Sequence, residues 1–343
     1  MACFHPSSIY IFEKPYEEKK KVIYKSNFDY QRHNLKDAIG WHHPKDSGYI
    51  CTDAVLVGCG KCVGCNADNN KIWAERMMSE TAYSKTAYFL TITYDDEHLP
   101  KNHQLVKKDL RDFIKKIRNF YYQKFNYDGI RFYAVGEYGS KSARPHYHAI
   151  IWNMPLYDID FYAMNLDRPK FHIKKVGYSE TSKENLVEVK ELSDLWNKGY
   201  VVVGNVSRAS CNYVARYVNK KKLSGVMNKD LKYLGIESEF SLMSRRPGIG
   251  FTYYDQNWRK LLNNNLVYFI DGEKFIASRY FEKYLEKYHP DYLSLYKELK
   301  DNYALYGKAN NARLKNEFGS INAGLVEMEK QRIMACKSLK RKL

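Results

Sequence analysis

The spacing of apolar positions changes several times along the chain, and each change marks an element. Residues 88–94 (YFLTITY) read as a strand. From 106 to 125, Val106, Leu110, Phe113, Ile114, Ile117, Phe120 and Tyr121 fall on one helical stripe. IRFYAVGEY (130–138) and HYHAIIW (146–152) read as two strands, and the turn-rich GSKSARP between them makes an antiparallel hairpin. Residues 153–185 read as irregular, punctuated by Pro155 and Pro169. LVEVKELSDLWNKG predicts a helix ending at Gly199, YVVVGNV (200–206) a strand, and SRASCNYVARYVNKKK (207–222) a helix capped by Ser207. The order β-α-β-β-α-β-α predicts an α+β fold, a central antiparallel sheet flanked by helices.

On either side the pattern weakens. Residues 1–85 mix polar loops with a cysteine cluster and end in a helical run from Asn69 to Lys85. Residues 278–334 read as helical, and the chain closes on a basic tail, KSLKRKL. Three parts are therefore expected: a Cys-rich segment 1–85, a central domain 86–225, and a basic, mainly helical extension 226–343. No internal repeat is visible.

Charge adds a partner. With 56 Lys+Arg against 39 Asp+Glu the formal net charge is +17, which favours a polyanion such as nucleic acid. The 31 tyrosines offer stacking surfaces for unpaired bases, or reflect the codon bias of an AT-rich genome. No run of about 18 apolar residues occurs, so no membrane span is expected. The start, MACFHPSSIYIFEKPYEEKKK, has no long apolar core followed by a small-residue cleavage site, so no secretory signal is read and a cytoplasmic setting is expected.

Candidate chemistry begins at His146 and His148. A strand has a period of two, so both imidazoles leave the same face, where two such groups can hold a divalent cation. Glu137 ends the preceding strand, across the hairpin, and can complete a mixed N/O set suited to Mg²⁺ or Mn²⁺. Alone, H-x-H on a strand is equally a structural pair. Tyr213 and Tyr217 are spaced i, i+4 on the predicted helix, with Lys220 and Lys221 following; by themselves they could be a packed stripe. As a nucleophile a phenol needs a neighbouring base or cation.

In combination these segments are recognisable. YFLTITY, GEYGSKSARPHYHAIIW and YVARYVNKK resemble the three ordered motifs of the HUH endonuclease superfamily, and look most like the replication initiators of microviruses, in the gokushovirus branch. ACFHP, GCGKCVGC and LMSRRPGIG resemble that branch too, so the likeness spans roughly residues 1–255. One departure is Val57-Gly58, where the family often has proline before the cysteine run. The resemblance implies a rolling-circle initiator that nicks and rejoins single-stranded DNA at a phage origin through a 5′-phosphotyrosine. His146 and His148 would be the metal pair, Glu137 the third ligand, and Tyr213 and Tyr217 the paired nucleophiles. Lys220 would lower a tyrosine pKa or neutralise the phosphate. No P-loop pattern is present, so a host helicase and polymerase are expected partners, in the host bacterial cytoplasm.

Cys59, Cys62 and Cys65 form C-x2-C-x2-C, a pattern for structural Zn²⁺ or for buried reduced thiols. The fourth zinc ligand would be Cys3 by resemblance, then Cys51 or His5. Arg144, Lys221, Arg245 and Arg246 are candidates for gripping DNA, although SRRPGIG (244–250) reads equally as a structured turn. A transposase or a plasmid relaxase fits less well. The former usually has one tyrosine in a shorter chain; the latter usually has three histidines and N-terminal tyrosines. The reading from a different class is a non-catalytic, zinc-containing nucleic-acid-binding protein.

Overall fold

A computed structural model describes residues 3–25, 38–60, 62–139, 142–167, 171–180, 184–223, 237–270 and 272–340. The side chains of Tyr217, Lys220 and Lys221, and those of the basic tail, lie outside the described residues. The chain divides into two compact units, residues 1–68 with 301–343, and residues 69–300.

In the first unit, β1 (Ser7–Glu13), β2 (Lys21–Lys25), β3 (His42–His43) and β4 (Asp46–Val57) form an antiparallel sheet in the order β2-β1-β4-β3. The sequence reads here as polar loops, because Thr52 and Asp53 break the alternation in β4 and β2 is only five residues long. Phe12, Ala38, Tyr49 and Cys51 form one small core, and Cys3, Phe4, Cys62 and Cys65 another. α1 (Val63–Ala82) starts inside the cysteine run, six residues earlier than the apolar spacing predicts.

The second unit is built on β5 (Ala87–Tyr94), α2 (Lys107–Phe125), β6 (Arg131–Tyr138), β7 (Pro145–Trp152), α3 (Asp158–Ala163), β8 (Ile173–Ser179), β9 (Glu184–Val189), α4 (Lys190–Trp196), β10 (Gly199–Asn205), α5 (Arg208–Leu223) and β11 (Phe240–Met243). Its seven strands run β11-β6-β7-β5-β10-β9-β8, every neighbouring pair antiparallel. The α+β class with a large antiparallel sheet between helices is as the sequence predicts. Two segments differ. Residues 186–189, expected as the start of a helix, are strand β9, and the helix begins at Lys190 with no turn between. The segment read as irregular holds α3 and β8. The C-terminal region is helical as expected: α6 (Phe251–Asn263), a β12–β13 hairpin (Val267–Ile270, Glu273–Ile276), α7 (Arg279–Tyr288), α8 (Leu293–Phe318) and α9 (Ile321–Lys340). No helix among the described residues is long and apolar enough to cross a membrane.

The two faces of the large sheet are used differently. One face carries Leu90, Ile92, Tyr94, Tyr147, Ala149 and Ile151, all buried beneath the α2 stripe of Leu110, Phe113, Ile114, Ile117 and Tyr121 and beneath Trp196 of α4. Each fully buried aliphatic or aromatic side chain there stabilises the fold by roughly 1.5–3 kcal/mol. The opposite face meets α1 at one end, where Trp152 Nε1 donates to Thr81 Oγ1 at 2.9 Å and the Trp73 and Tyr133 rings pack at 5.4 Å. Arg131 pairs there with Glu80, and donates also to Pro247 O at 3.0 Å and Gly248 O at 2.9 Å. SRRPGIG is thus a structured turn, with Ile249 buried and Gly250 N donating to Glu80 Oε2 at 2.6 Å. The Glu137 end of the same face is left for α5.

Glu75 of α1 is almost wholly enclosed, accepting from Tyr254 Oη at 2.9 Å while its Oε2 finds no partner among the described residues. Burial pushes its carboxyl up to about 8. A carboxyl raised in the folded state keeps a proton that the unfolded chain has lost, so its contribution to stability is present below about pH 4.5 and fades as the pH rises through 8. Glu75→Gln should therefore melt higher than the wild type at pH 8, by a difference on the order of a few kcal/mol, and show little advantage at pH 4.5. Thermal melts of both proteins across that range check it.

Candidate functional site

The site grows from the β6–β7 hairpin. Its register sets Glu137 directly opposite His146, and Val135 opposite His148, so all three polar side chains share one face. Tyr147, between the histidines, points the other way. Its hydroxyl meets Tyr94 Oη at 2.7 Å, accepts from Val106 N and donates to Val106 O, both at 3.0 Å. The buried tyrosine pins the strand so that the imidazoles cannot swap faces.

Each imidazole is also held from behind. His146 Nδ1 lies 3.1 Å from Arg144 O, and since a carbonyl only accepts, Nδ1 carries the hydrogen. The bare Nε2 of a neutral His146 then faces Glu137 Oε1 at 2.6 Å, acceptor against acceptor. That approach requires a cation between them, either a proton or a metal. His148 Nδ1 meets Thr91 Oγ1 at 3.2 Å and its Nε2 lies 3.1 Å from the same Oε1. Glu137 Oε2 is buried without a hydrogen-bond partner among the described residues.

The electrostatics agree with this geometry. Burial works against ionising Glu137 but is outweighed by hydrogen bonds from His146, His148 and Tyr213, which hold the carboxyl down to about 2. Burial lowers His148, whereas at His146 it is overcome by the carboxylate and the Arg144 carbonyl, and the pKa rises. Two imidazole nitrogens and one carboxylate oxygen within 4.8 Å of one another form a donor set able to hold a divalent metal.

α5 brings the hydroxyl. Ser207 caps it, accepting from Ser210 N at 3.2 Å, and Ser210 Oγ returns the bond by accepting from Ser207 N at 2.8 Å. Cys211, Val214 and Ala215 bury one side of the helix. Tyr213 Oη then donates to Glu137 Oε1 at 2.5 Å, and its ring meets His148 edge to face at 5.1 Å. Burial first, and the carboxylate second, hold this phenol above its ordinary range. Tyr217 lies one turn further on, about 6 Å along the axis; its side chain, with those of Lys220 and Lys221, is outside the described residues.

The arginines do not gather at the triad. Arg144 is engaged by Asp96 Oδ1 at 2.7 Å and Tyr94 O at 2.8 Å. Arg245 and Arg246 follow β11, whose Met243 pairs with Tyr133, so they lie near the far end of β6 from Glu137. Thr91 and Phe89, whose ring stacks on His148 at 5.3 Å, escape the sequence reading, although their alternation with His148's neighbours in YFLTITY carries the signal.

In the first unit, Cys3, Cys59, Cys62 and Cys65 place four sulfurs within 4.8 Å of one another. Cys3 and Cys62 Sγ are 3.8 Å apart, too far for a disulfide of about 2.05 Å. Backbone N–H groups of Phe4, Cys59, Cys62 and Cys65 donate to these sulfurs at 3.2–3.4 Å. Cys51 sits in the other small core, and His5 pairs with Glu329 at 2.7 Å.

Residues 87–222 match the family model of the phage replication-associated protein ORF2. The chain is 32% identical to replication-associated protein ORF2 of Spiroplasma virus 4, over 89% of this chain and 87% of that protein. It is 30% identical to replication-associated protein VP4 of Bdellovibrio phage phiMH2K, over 68% of each, and 28% identical to replication-associated protein ORF4 of Chlamydia phage 1, over 79% of this chain and 60% of that protein. No solved structure matches the chain.

Titration with Mn²⁺ by calorimetry should show one site lost on Glu137→Ala or His148→Ala, and weakened about tenfold on Thr91→Val, which removes the bond to His148 Nδ1. Unchanged affinity in Glu137→Ala would place the metal elsewhere.

Proposed function

The chain belongs to the family of phage replication-associated proteins, as a microvirus-type replication initiator, and from that premise we propose that it is a metal-dependent nickase of the HUH kind. It cuts and rejoins single-stranded DNA at the phage origin through a tyrosine, within a nuclease domain spanning residues 86–225. The observation that carries this reading is the 2.5 Å hydrogen bond from Tyr213 Oη to the carboxylate oxygen that both histidines also face. A phenol held there stands beside the cation site, where a phosphodiester would also be drawn.

The residues divide the work as follows. His146, His148 and Glu137 hold Mg²⁺ or Mn²⁺, and such a cation supplies positive charge that polarises the scissile phosphodiester. Tyr213 Oη forms a bond to phosphorus while the bond from phosphorus to O3′ breaks. Glu137 Oε1 takes the phenolic proton, and the departing O3′ takes a proton from water to become the 3′-OH that a host polymerase extends. Tyr217 serves as the second nucleophile when the origin is regenerated; the freed 3′-OH then attacks the first phosphotyrosine and closes a circle. Lys220 neutralises charge on the phosphate. Unwinding falls to a host helicase in the bacterial cytoplasm. Arg144, already paired within the chain, and Arg245 and Arg246 carry no part of this scheme.

A second metal has a structural role. Zinc bound by four thiolates at about 2.3 Å has sulfurs about 3.8 Å apart, which suits the Cys3–Cys62 separation. The amide donors from Cys65 and Phe4 overcome burial at Cys62 and draw its thiol down to about 7, as a thiolate ligand needs. We assign Cys3, Cys59, Cys62 and Cys65 to one structural Zn²⁺.

Two outcomes follow. Incubation with origin-containing single-stranded DNA and Mn²⁺ should give a covalent adduct that EDTA prevents, that survives Tyr213→Phe or Tyr217→Phe, and that disappears in the double variant. Absence of any adduct from the wild type on the whole single-stranded genome would leave a non-catalytic binding protein. Elemental analysis of reduced, purified protein should find one zinc per chain, lost in Cys62→Ser together with a lower melting temperature; zinc-free wild type would refute the assignment.

A further inference from the structure

Beside the triad, the same sheet face opens into a cavity of about 290 Å³. Phe89, Leu186 and Val202, from β5, β9 and β10, give it three half-buried apolar side chains. His148 and Tyr213 belong to its wall, so anything inside touches the reacting hydroxyl's own ring. The first turn of α5 lines it as well, presenting the positive end of a helix dipole to a sugar-phosphate backbone.

Two residues show how the space is kept and what it would read. Gly204 lies on the same face of β10 as Val202, and a Cβ built there would come within 3.0 Å of Leu186 Cδ2. With glycine at that position the cavity stays open. Asn205 is exposed at the edge, and its side-chain amide, a donor and an acceptor side by side, makes no hydrogen bond among the described residues.

We propose that this cavity takes the base of one nucleotide adjoining the scissile phosphate, unstacked from its strand and packed against Phe89, with Asn205 reading its edge. The inference rests on the nicking role of Tyr213 and adds to it a source of sequence choice. An apolar cavity with an aromatic wall suits the flat face of a base, which any base can offer, whereas an asparagine amide distinguishes base edges. The volume suits a single base and excludes a base pair, which restricts the site to single strands. Continuity with Tyr213 and His148 fixes which nucleotide enters: one next to the bond being cut.

The experiment uses the full chain and a short single-stranded oligonucleotide spanning the position cut by the wild type in the phage genome, with Mn²⁺. The intact strand is compared with two strands abasic immediately 5′ or immediately 3′ of the scissile phosphate. One of the two abasic strands should form the tyrosine adduct about fivefold more slowly, or worse. Gly204→Val, which fills the cavity and leaves every triad residue in place, should slow the intact strand to the same degree and slow that abasic strand no further. Equal rates on all three strands would overturn the cavity's role while leaving the nickase standing; no adduct on the intact strand overturns both. If Gly204→Val fails to fold by circular dichroism, Asn205→Ala carries the test. It should flatten the preference among the four bases at that position without altering the abasic rate. An unchanged preference counts against the proposal.

Discussion

Tyr147 is held in the core by Tyr94 Oη and by both backbone groups of Val106, and that anchorage orders the site above it. Because a strand alternates, a tyrosine locked on the lower face commits both flanking imidazoles to the upper one. The Glu137–His146 pairing then sets the third donor, the Arg144 carbonyl and Thr91 turn both Nε2 atoms inward, and Tyr213 closes on the same oxygen from α5. A one-residue slip of β7 would send the histidines into the hydrophobic layer and the tyrosine to the surface. The core packing under α2 therefore holds the chemistry in place as much as it holds the fold.

The carboxylate at the centre has two neighbours that want opposite things. It favours a cation between itself and the imidazoles, and it holds the proton on Tyr213 through burial and its own negative charge. With only protons present the phenol stays neutral and unreactive. Nucleophile and metal ligands are thus coupled through one oxygen atom, so that the hydroxyl is quiet whenever the cation site is not filled.

Sequence makes some of this legible and hides the rest, for physical reasons. The hairpin and the α2 stripe are readable because local periodicity fixes them, and Glu137, His146 and His148 fall within one such local unit. β9 reads as helix because LVEVKELSDLW places apolar residues at both strand and helix spacings, and no turn residue separates Val189 from Lys190. The four strands of the first unit stay hidden because their polar positions interrupt alternation and their partners lie far apart in the chain. Thr91 and the cavity floor depend on β5 pairing with β7 and β10, contacts no short window contains. Three of the four clustered cysteines announce themselves by spacing; Cys3, 56 residues before Cys59, is joined to them only by folding.

The three donors of the triad span eleven positions of chain, whereas Tyr213 comes 76 positions after Glu137. Closing the hairpin costs little loop entropy, and closing α5 onto it costs more. On a ribosome, where chains emerge from the N-terminal end, the ligand hairpin is complete well before the nucleophile is synthesised. The order of translation thus gives the nascent chain a metal-binding stage that carries no reactive hydroxyl, and the capacity to cut DNA arrives only when the last helix of the sheet layer docks.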